Sequence, residues 1–344
     1  MRNPAFLLLL LVTVGGCTER GMAPPRIESL EEDEAIRRHE GINVATANLW
    51  GVSVLGMDWT DEIDARFAEL AVRLGRNVPE LDVVLIQEAW KDGARRRLLA
   101  DEGVIRNFPH RVDALEAPGG SGLVILSRFP IVRAEFHRFR AQGRCFKFWE
   151  GDCLSGKGVL AVQARIGEEL YWIANTHLIA CYPNDEASET KCDQQDPNGD
   201  VRFSQVVEAR EFMEQLTGAE PALIGGDFNL TRSSRYYPAM TSRRIPADPP
   251  GASPSDLSTH ENRGWSERGE LNVSAGRIDY IWTRRGRSVQ WHARGDARLI
   301  FTDPVELDEG RAIPISDHPI LAVSYCLTHS QGESGPASCG SPRP

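Results

Sequence analysis

Eight polar residues stand at or just past the ends of apolar runs in this chain: Asn48, Glu88, His177, Asp227, Asn229, Asp279, Asp317 and His318. Each alone has a plain structural reading. Asn48 could cap a turn, Glu88 could be an exposed strand end, and His177 could be a hydrogen-bonded core histidine. Together, on strands able to share one sheet edge, they form a constellation. Buried carboxylates without partners are expensive, so a cluster of them needs a cation or shared protons. Glu and Asp oxygens with Asn carbonyls suit a hard cation, Mg2+ first with Mn2+ as a substitute, and Mg2+ partners naturally with phosphate. Histidines beside such a centre supply a general base and a hydrogen-bond donor. The chemistry open to this set is attack of water on a phosphate ester. Asp227 and Asn229 lie two apart in "GGDFNL", so strand alternation would turn both toward one phosphate.

The elements that must position these groups are short apolar runs that read as buried strands, at 42–50, 82–90, 122–129, 158–166, 170–178, 221–228, 277–284 and 318–325. Helical periodicity predicts two helices. Over 60–75, Ile63, Phe67, Leu70, Ala71 and Leu74 share a face, with Thr60 as N-cap and Asp61 and Glu62 in the first turn. Over 202–217, Val206, Ala209, Met213 and Leu216 do the same. Many strands with few helices, some strands adjacent in sequence, predict mixed sheets in an α/β or α+β domain. The segment 231–275, rich in Ser, Pro, Gly and Arg, reads as a long irregular loop, and there is no internal repeat.

The 344 residues suit one large domain or two small ones. A formal net charge of −10 weighs against a nucleic-acid partner, which needs basic surface to replace phosphate counterions. "MRNPAFLLLLLVTVGGC" has one Arg, an apolar core too short to span a bilayer, and small residues before Cys17. It reads as an export signal over 1–16, and "VGGC" as a lipobox that would leave Cys17 lipidated; plain secretion is the alternative. The stretch 17–40 would be a tether, 41–327 the catalytic domain, and 328–344 a flexible tail. Export permits disulfides. Cys145, Cys153, Cys181, Cys192, Cys326 and Cys339 allow fifteen pairings, of which neighbour pairing would close small loops. A zinc site is the weaker alternative, because no C-x-x-C spacing occurs.

The motifs "NLW", "IQEAW", "GLVILSRFPI", "NTHL", "GGDFN", "RIDYIW" and "SDHPI", in this order over 42–325, resemble the endonuclease/exonuclease/phosphatase superfamily. The resemblance implies a four-layer α/β sandwich of two packed mixed sheets with helices outside and an active site at one end. It also implies roles. Glu88 would be the main Mg2+ ligand with Asn48 beside it, and Asp317 would support the metal side. His318 would be the base or would position the attacking water, with Asp279 orienting it. Asp227 would handle a proton, which leaves open whether it or His318 acts first. His177 and Asn229 would donate hydrogen bonds to phosphate oxygens.

Within that superfamily, "NLWGVSVLGMDWTDEIDARFAEL" and the Lys157–Gly158 pair in "GDCLSGKGVLAVQ" resemble neutral sphingomyelinases. This implies a phospholipase C acting on a phospholipid at a membrane surface, with Lys157 contacting phosphate and the chain acting as a monomer. A surface lysine at a strand start is the plainer reading of Lys157. The stretch 134–153, with Arg133 just before it, mixes Phe136, Phe139, Phe146, Phe148 and Trp149 with Arg138, Arg140, Arg144 and Lys147, which suits lipid head groups or an ordinary pair of strands. A secreted nuclease or a sugar or inositol phosphatase would share the same centre. A catalytically dead binding module would lack one of its groups, and none is missing.

Overall fold

A computed structural model describes residues 26–28, 41–54, 56–114, 120–143, 156–181, 198–231, 234–241, 266–267, 278–287, 289–295 and 297–329. In chain order the strands of its two large sheets are β1 (Arg26–Glu28), β2 (Gly41–Gly51), β3 (Val83–Ala89), β4 (His110–Asp113), β5 (Val124–Ser127), β6 (Ile131–Arg138) and β7 (Gly158–Ile166). There follow β8 (Glu169–His177), β9 (Ala222–Asp227), β10 (Ser266–Glu267), β11 (Asp279–Arg284), β12 (Val289–Ala293), β13 (Arg298–Ile300) and β14 (Ile320–His329). The first sheet runs β1-β4-β5-β3-β2-β14-β12, with β13 also paired to β14, and the second runs β10-β11-β9-β8-β7-β6. Both are mixed: β2 and β3 are parallel, as are β8 and β9, while their other neighbours are antiparallel.

Period-two alternation sorts the side chains into layers. Val44, Val83 and Leu85 from the first sheet meet Leu160, Val162, Ile173, Leu223 and Ile281 from the second in a core between the sheets. The alternate residues of the first sheet pack outward on helices α1 (Ile63–Arg76), α2 (Asp92–Ala100) and α3 (Glu102–Asn107). Those of the second pack on α4 (Gly199–Thr217). The result is the expected four-layer α/β sandwich.

All eight expected strands are present. Helix α1 buries the five expected residues but starts at Ile63, because Thr60 donates its hydroxyl to the Trp50 carbonyl at 2.6 Å rather than capping. Helix α4 buries Val206, Ala209 and Met213, with Leu216 packed at its edge. Part of the stretch expected as a tether forms the edge strand β1, paired with β4. At the other end β14 runs two residues past the expected boundary, to His329. In the expected loop, Pro238–Thr241 is a short helix and Ser266–Glu267 an edge strand. Phe136 packs against the inter-sheet core and Phe139 is buried against α4, so two of the five aromatics considered for lipid contact face inward. Phe146, Phe148 and Trp149 lie outside the described residues. Cys181 and Cys326 are disulfide-bonded; Cys145, Cys153, Cys192 and Cys339 also lie outside the described residues.

Candidate active site at one end of the sandwich

Strand register brings half of the site together before any side chain is considered. Parallel pairing of β8 with β9 sets His177 opposite Asp227, and antiparallel pairing of β9 with β11 sets Asp227 opposite Asp279. Neighbours in register point to the same side of a sheet, so these three form a row on the inner face. All three are buried. The other sheet supplies Asn48 from β2 and Glu88 from β3.

Glu88 breaks the alternation. Leu85 and Gln87 face inward on β3, which would turn Glu88 outward onto the helices. Glu88 instead has φ 57°, and the β2–β3 register slips between Asn48 and Gly51. This left-handed kink swings its carboxylate into the site, where Oε1 accepts from Asn48 Nδ2 at 2.9 Å and lies 3.8 Å from His177 Nε2. Asn48 Nδ2 also donates to Asp227 Oδ2 at 3.0 Å, and its Oδ1 accepts from the Trp50 N–H at 2.9 Å. One amide thus bridges carboxylates from both sheets. Its NH2 group, rather than its carbonyl, faces them, so a ligand role for Asn48 needs the amide turned over.

His318, just ahead of β14, bonds through Nδ1 to Asp279 Oδ2 at 2.8 Å and brings Nε2 within 4.0 Å of Asp227 Oδ2. Burial alone would hold its imidazolium down. The charges of Asp279 and Asp227, with the Asp279 hydrogen bond, outweigh this and push it up to about 11. The expected acid–histidine pairing is therefore present. Asp317 stands apart, its Oδ1 3.2 Å from the Ser316 hydroxyl, and it acts on Glu88, Asp279 and His318 through its field.

Lys157 is buried, 1% exposed, and is not a surface lysine. Its Nζ lies 2.9 Å from His177 Nε2 and donates to the Leu178 carbonyl at 2.9 Å. A Lys donating to Nε2 makes that nitrogen an acceptor and places the ring proton on Nδ1. Burial, then the Lys157 and His318 charges, hold His177 well below the usual histidine range. His177 is therefore neutral, and its remaining ring proton sits on Nδ1, which has no hydrogen-bond partner among the described residues. Asn229, at φ 50°, donates Nδ2 to the same Leu178 carbonyl at 2.9 Å, and its N–H donates to Asp227 Oδ1 at 2.9 Å.

One layer deeper is a network that composition and motif reading missed. Asn175, two before His177 on the same face, donates Nδ2 across the core to the Ile86 and Val124 carbonyls at 2.7 and 2.9 Å. Its Oδ1 accepts from Gln87 Nε2 at 2.6 Å, and Gln87 also bonds Thr46. These residues tie the sheets together directly beneath the site. Alternation from His177 is the signal that could have found Asn175. Ser316 was also missed; its hydroxyl donates to the Asn48 carbonyl at 2.6 Å and accepts the His318 N–H at 3.0 Å.

The donor set fits a hard cation. Glu88, His177 and Asp227 each offer one ligand atom within 4.8 Å of the others, as do Asp227, Asp279 and His318. Glu88 Oε2 is buried with no hydrogen-bond partner among the described residues. Burial, outweighing the Asn48 hydrogen bond and the Lys157 charge, raises the Glu88 carboxyl to about 7. A carboxylate held so uncomfortably, with one oxygen unused, is the kind of ligand a divalent ion stabilises.

The chain is similar to known proteins in sequence and in fold. A putative neutral sphingomyelinase from Drosophila melanogaster is 26% identical over 289 residues, covering 83% of this chain and 61% of the relative. The chain thus spans about three fifths of that relative's length. Sphingomyelinase C from Streptomyces griseocarneus shares the fold, with a TM-score of 0.54 at 20% identity over 83% of this chain and 99% of that one. Beta toxin from Staphylococcus aureus, in a structure with bound magnesium ions, gives 0.53 at 18% identity over 82% and 98%. The Endonuclease/Exonuclease/phosphatase family pattern matches residues 45–318, most of the chain and a span that contains the site residues named above, and the chain belongs to that family.

Proposed function

We propose that the chain is a cation-dependent phosphodiesterase that cleaves a phospholipid as a phospholipase C does, releasing the lipid alcohol and a phosphorylated head group. The observation that carries this reading is the His177–Asp227–Asp279 row facing Asn48 and Glu88, with one buried Glu88 oxygen unpaired. Four carboxylates near Lys157 and His318 would repel a phosphodiester anion unless a cation offset them. Glu88, with Asp227 beside it and Asp317 behind, would hold Mg2+. When bound, the ion would supply positive charge to phosphate oxygens and to the attacking water.

The rest is work for the chain's own side chains. His318, locked at Nδ1 by Asp279, takes the proton of the attacking water at Nε2. Its raised pKa must come down first, and neutralising the carboxylates around it does that. Asp227 sits within reach of the same proton and of the leaving oxygen. Asn229 and the Lys157–His177 pair line the phosphate side and offset charge that develops there. The sphingomyelinase named among the relatives supports a phospholipid substrate.

Export belongs to the same reading. The disulfides at Cys181 and Cys326 fit an oxidising compartment, as does the signal-like segment ending at Cys17. Mass spectrometry of the mature N-terminus tests it, with an acylated Cys17 as the expected result.

The activity test is a substrate panel of sphingomyelin, phosphatidylcholine, lysophospholipid, plasmid DNA and inositol phosphates, with and without chelator, with products identified. Phosphocholine release that stops in EDTA and returns with Mg2+ is expected. DNA nicking without lipid turnover, release of inorganic phosphate, or activity that survives thorough chelation would each overturn the reading.

A further inference from the structure

Just past Asn48 the chain leaves the sandwich as a small ribbon. Ser53–Val54 pairs antiparallel with Met57–Asp58, and the Trp59 N–H closes it by donating to the Val52 carbonyl at 2.9 Å. Its base is pinned at one atom. The Trp50 carbonyl accepts from Thr60 Oγ1 at 2.6 Å and from buried Arg66 at 3.0 Å. Lys91 clamps its second strand, bonding Asp58 at 2.6 Å and Asp64 at 2.8 Å. The ribbon is thus fixed to the body at several points.

What it presents is apolar. Among the described residues, the large hydrophobic side chains left exposed are Trp50 at 37%, Met57 at 61%, Trp59 at 45% and three valines elsewhere. Both tryptophans and the methionine fall within ten residues of one another, on the segment that carries the N–H holding Asn48 in place. Side chains of this size cost stability in water, and their grouping on a pinned ribbon at the rim of a site marks a contact surface.

Charge selects the partner. From Trp50 to Ala65 the chain holds Asp58, Asp61, Glu62 and Asp64, and the cations beside them are already engaged: Lys91 pairs Asp58 and Asp64, Arg97 pairs Asp64, Arg311 pairs Glu62, and Arg66 lies 4.9 Å over the Trp50 ring. An anionic bilayer attracts segments with basic charge to spare, and here that charge is spent on the ribbon's own carboxylates. A zwitterionic phospholipid surface carries quaternary ammonium groups outermost. Indole faces attract such cations, and with Arg66 over Trp50 the indole left to meet one is Trp59, 45% exposed. Indoles also settle at the level of lipid head groups.

We propose that the Trp50–Trp59 ribbon docks the protein on a zwitterionic, choline-bearing phospholipid surface, with Met57 and Trp59 entering it beside the active site. The inference rests on the phospholipase reading above and adds where the enzyme meets its substrate. Of the 134–153 stretch, Phe136 and Phe139 are committed to the core, and Phe146, Phe148 and Trp149 lie outside the described residues.

The test separates docking from catalysis. Full-length protein carrying Cys17→Ser, so that no acyl chain on that residue contributes, is compared with the same protein carrying Met57→Ser and Trp59→Ser. Binding is measured by cosedimentation in EDTA with phosphatidylcholine vesicles and with phosphatidylglycerol vesicles. Turnover is measured with Mg2+ on sphingomyelin vesicles and on a soluble phosphocholine ester. The double substitution should weaken phosphatidylcholine binding by about tenfold or more, the scale expected for losing two buried apolar side chains. Vesicle turnover should fall in step, while turnover of the soluble ester and the unfolding temperature stay unchanged. Undiminished vesicle binding, or tighter binding to phosphatidylglycerol than to phosphatidylcholine, would overturn the proposal. If the unsubstituted protein hydrolyses neither substrate, the phospholipase reading fails, and the cosedimentation result still decides the docking surface.

Discussion

Replacing Glu88 by Gln should stabilise the cation-free protein while abolishing its chemistry. Burial raises the Glu88 carboxyl from its usual 4.5 to about 7. A carboxyl whose folded pKa lies above its unfolded value favours the folded state in its protonated form. That contribution is complete below pH 4.5 and is lost as pH climbs from 4.5 through 7. At about 1.4 kcal/mol per pH unit, the gap corresponds to about 3 kcal/mol of stability missing above pH 7. Gln is neutral at every pH and keeps an oxygen to accept from Asn48. In EDTA, the two proteins should therefore unfold alike near pH 4.5. By pH 8 the E88Q protein should be more stable by about 3 kcal/mol, or about 5 °C in Tm for a chain of this size. Adding Mg2+ should raise the wild-type Tm by mass action and leave E88Q unmoved, closing the gap. Urea and thermal unfolding over this pH range, under non-reducing conditions, measure both effects. If E88Q is no more stable than wild type at pH 8 without metal, Glu88 is not the strained carboxylate described here. If Mg2+ stabilises both proteins equally, it does not bind at Glu88.

The same geometry sets three further expectations. His318→Ala should lower kcat on the order of a thousandfold with little change in unfolding temperature, as suits loss of a general base; near-normal turnover would mean the base is misassigned. Asn175→Ala strips partners from Gln87 Nε2 and from the Ile86 and Val124 carbonyls. It should cost about 1–3 kcal/mol in urea unfolding and also weaken Mg2+ binding measured by titration calorimetry; unchanged Mg2+ affinity would show that the inter-sheet lock does not set the site's spacing. Asp227→Asn should lose turnover but keep its fold, because an amide oxygen still accepts the Asn229 N–H, whereas Asp227→Ala should lose both turnover and stability; equal unfolding midpoints for the two would refute that second role.

The strands were legible because the chain buries them on both faces. Val83, Val84, Leu85 and Ile86 are all fully buried, so the run is continuous and unmistakable. Strand β6 was hidden because most of its residues stay half-exposed and Arg133 and Glu135 pair across its outer side. Helix α2 was hidden by three consecutive arginines, one of which, Arg95, turns inward to bond the Ala89 carbonyl at 2.9 Å. The identities of the site residues were readable one by one, since charged and amide groups at strand ends need a reason. Their partners were not. The bond between Lys157 and His177 joins residues twenty apart through the antiparallel β7–β8 pair. Periodicity cannot choose such a contact, nor the tautomer it imposes.

Glu88 shows what limits reading along a strand: its place in the candidate site depends on breaking the alternation that makes the strand recognisable. Three residues around the site, Trp50, Glu88 and Asn229, have left-handed backbones, at φ 50°, 57° and 50°. For residues other than glycine this costs about 1–2 kcal/mol each. In two of the three, the stabilising contact comes from a functional side chain: Asn48 Oδ1 accepts the Trp50 N–H and Asp227 Oδ1 accepts the Asn229 N–H. Beyond Glu88, the Ala89 N–H is taken by the Gly122 carbonyl at 3.0 Å. The oxygens that hold these kinks therefore belong to groups whose other atoms, Asn48 Nδ2 and Asp227 Oδ2, bond one another within the candidate site. Site and strand end are one construction. A substitution chosen to remove chemistry at Asn48 or Asp227 also removes the acceptor that bends the chain there, and only a replacement that keeps an oxygen in place separates the two effects.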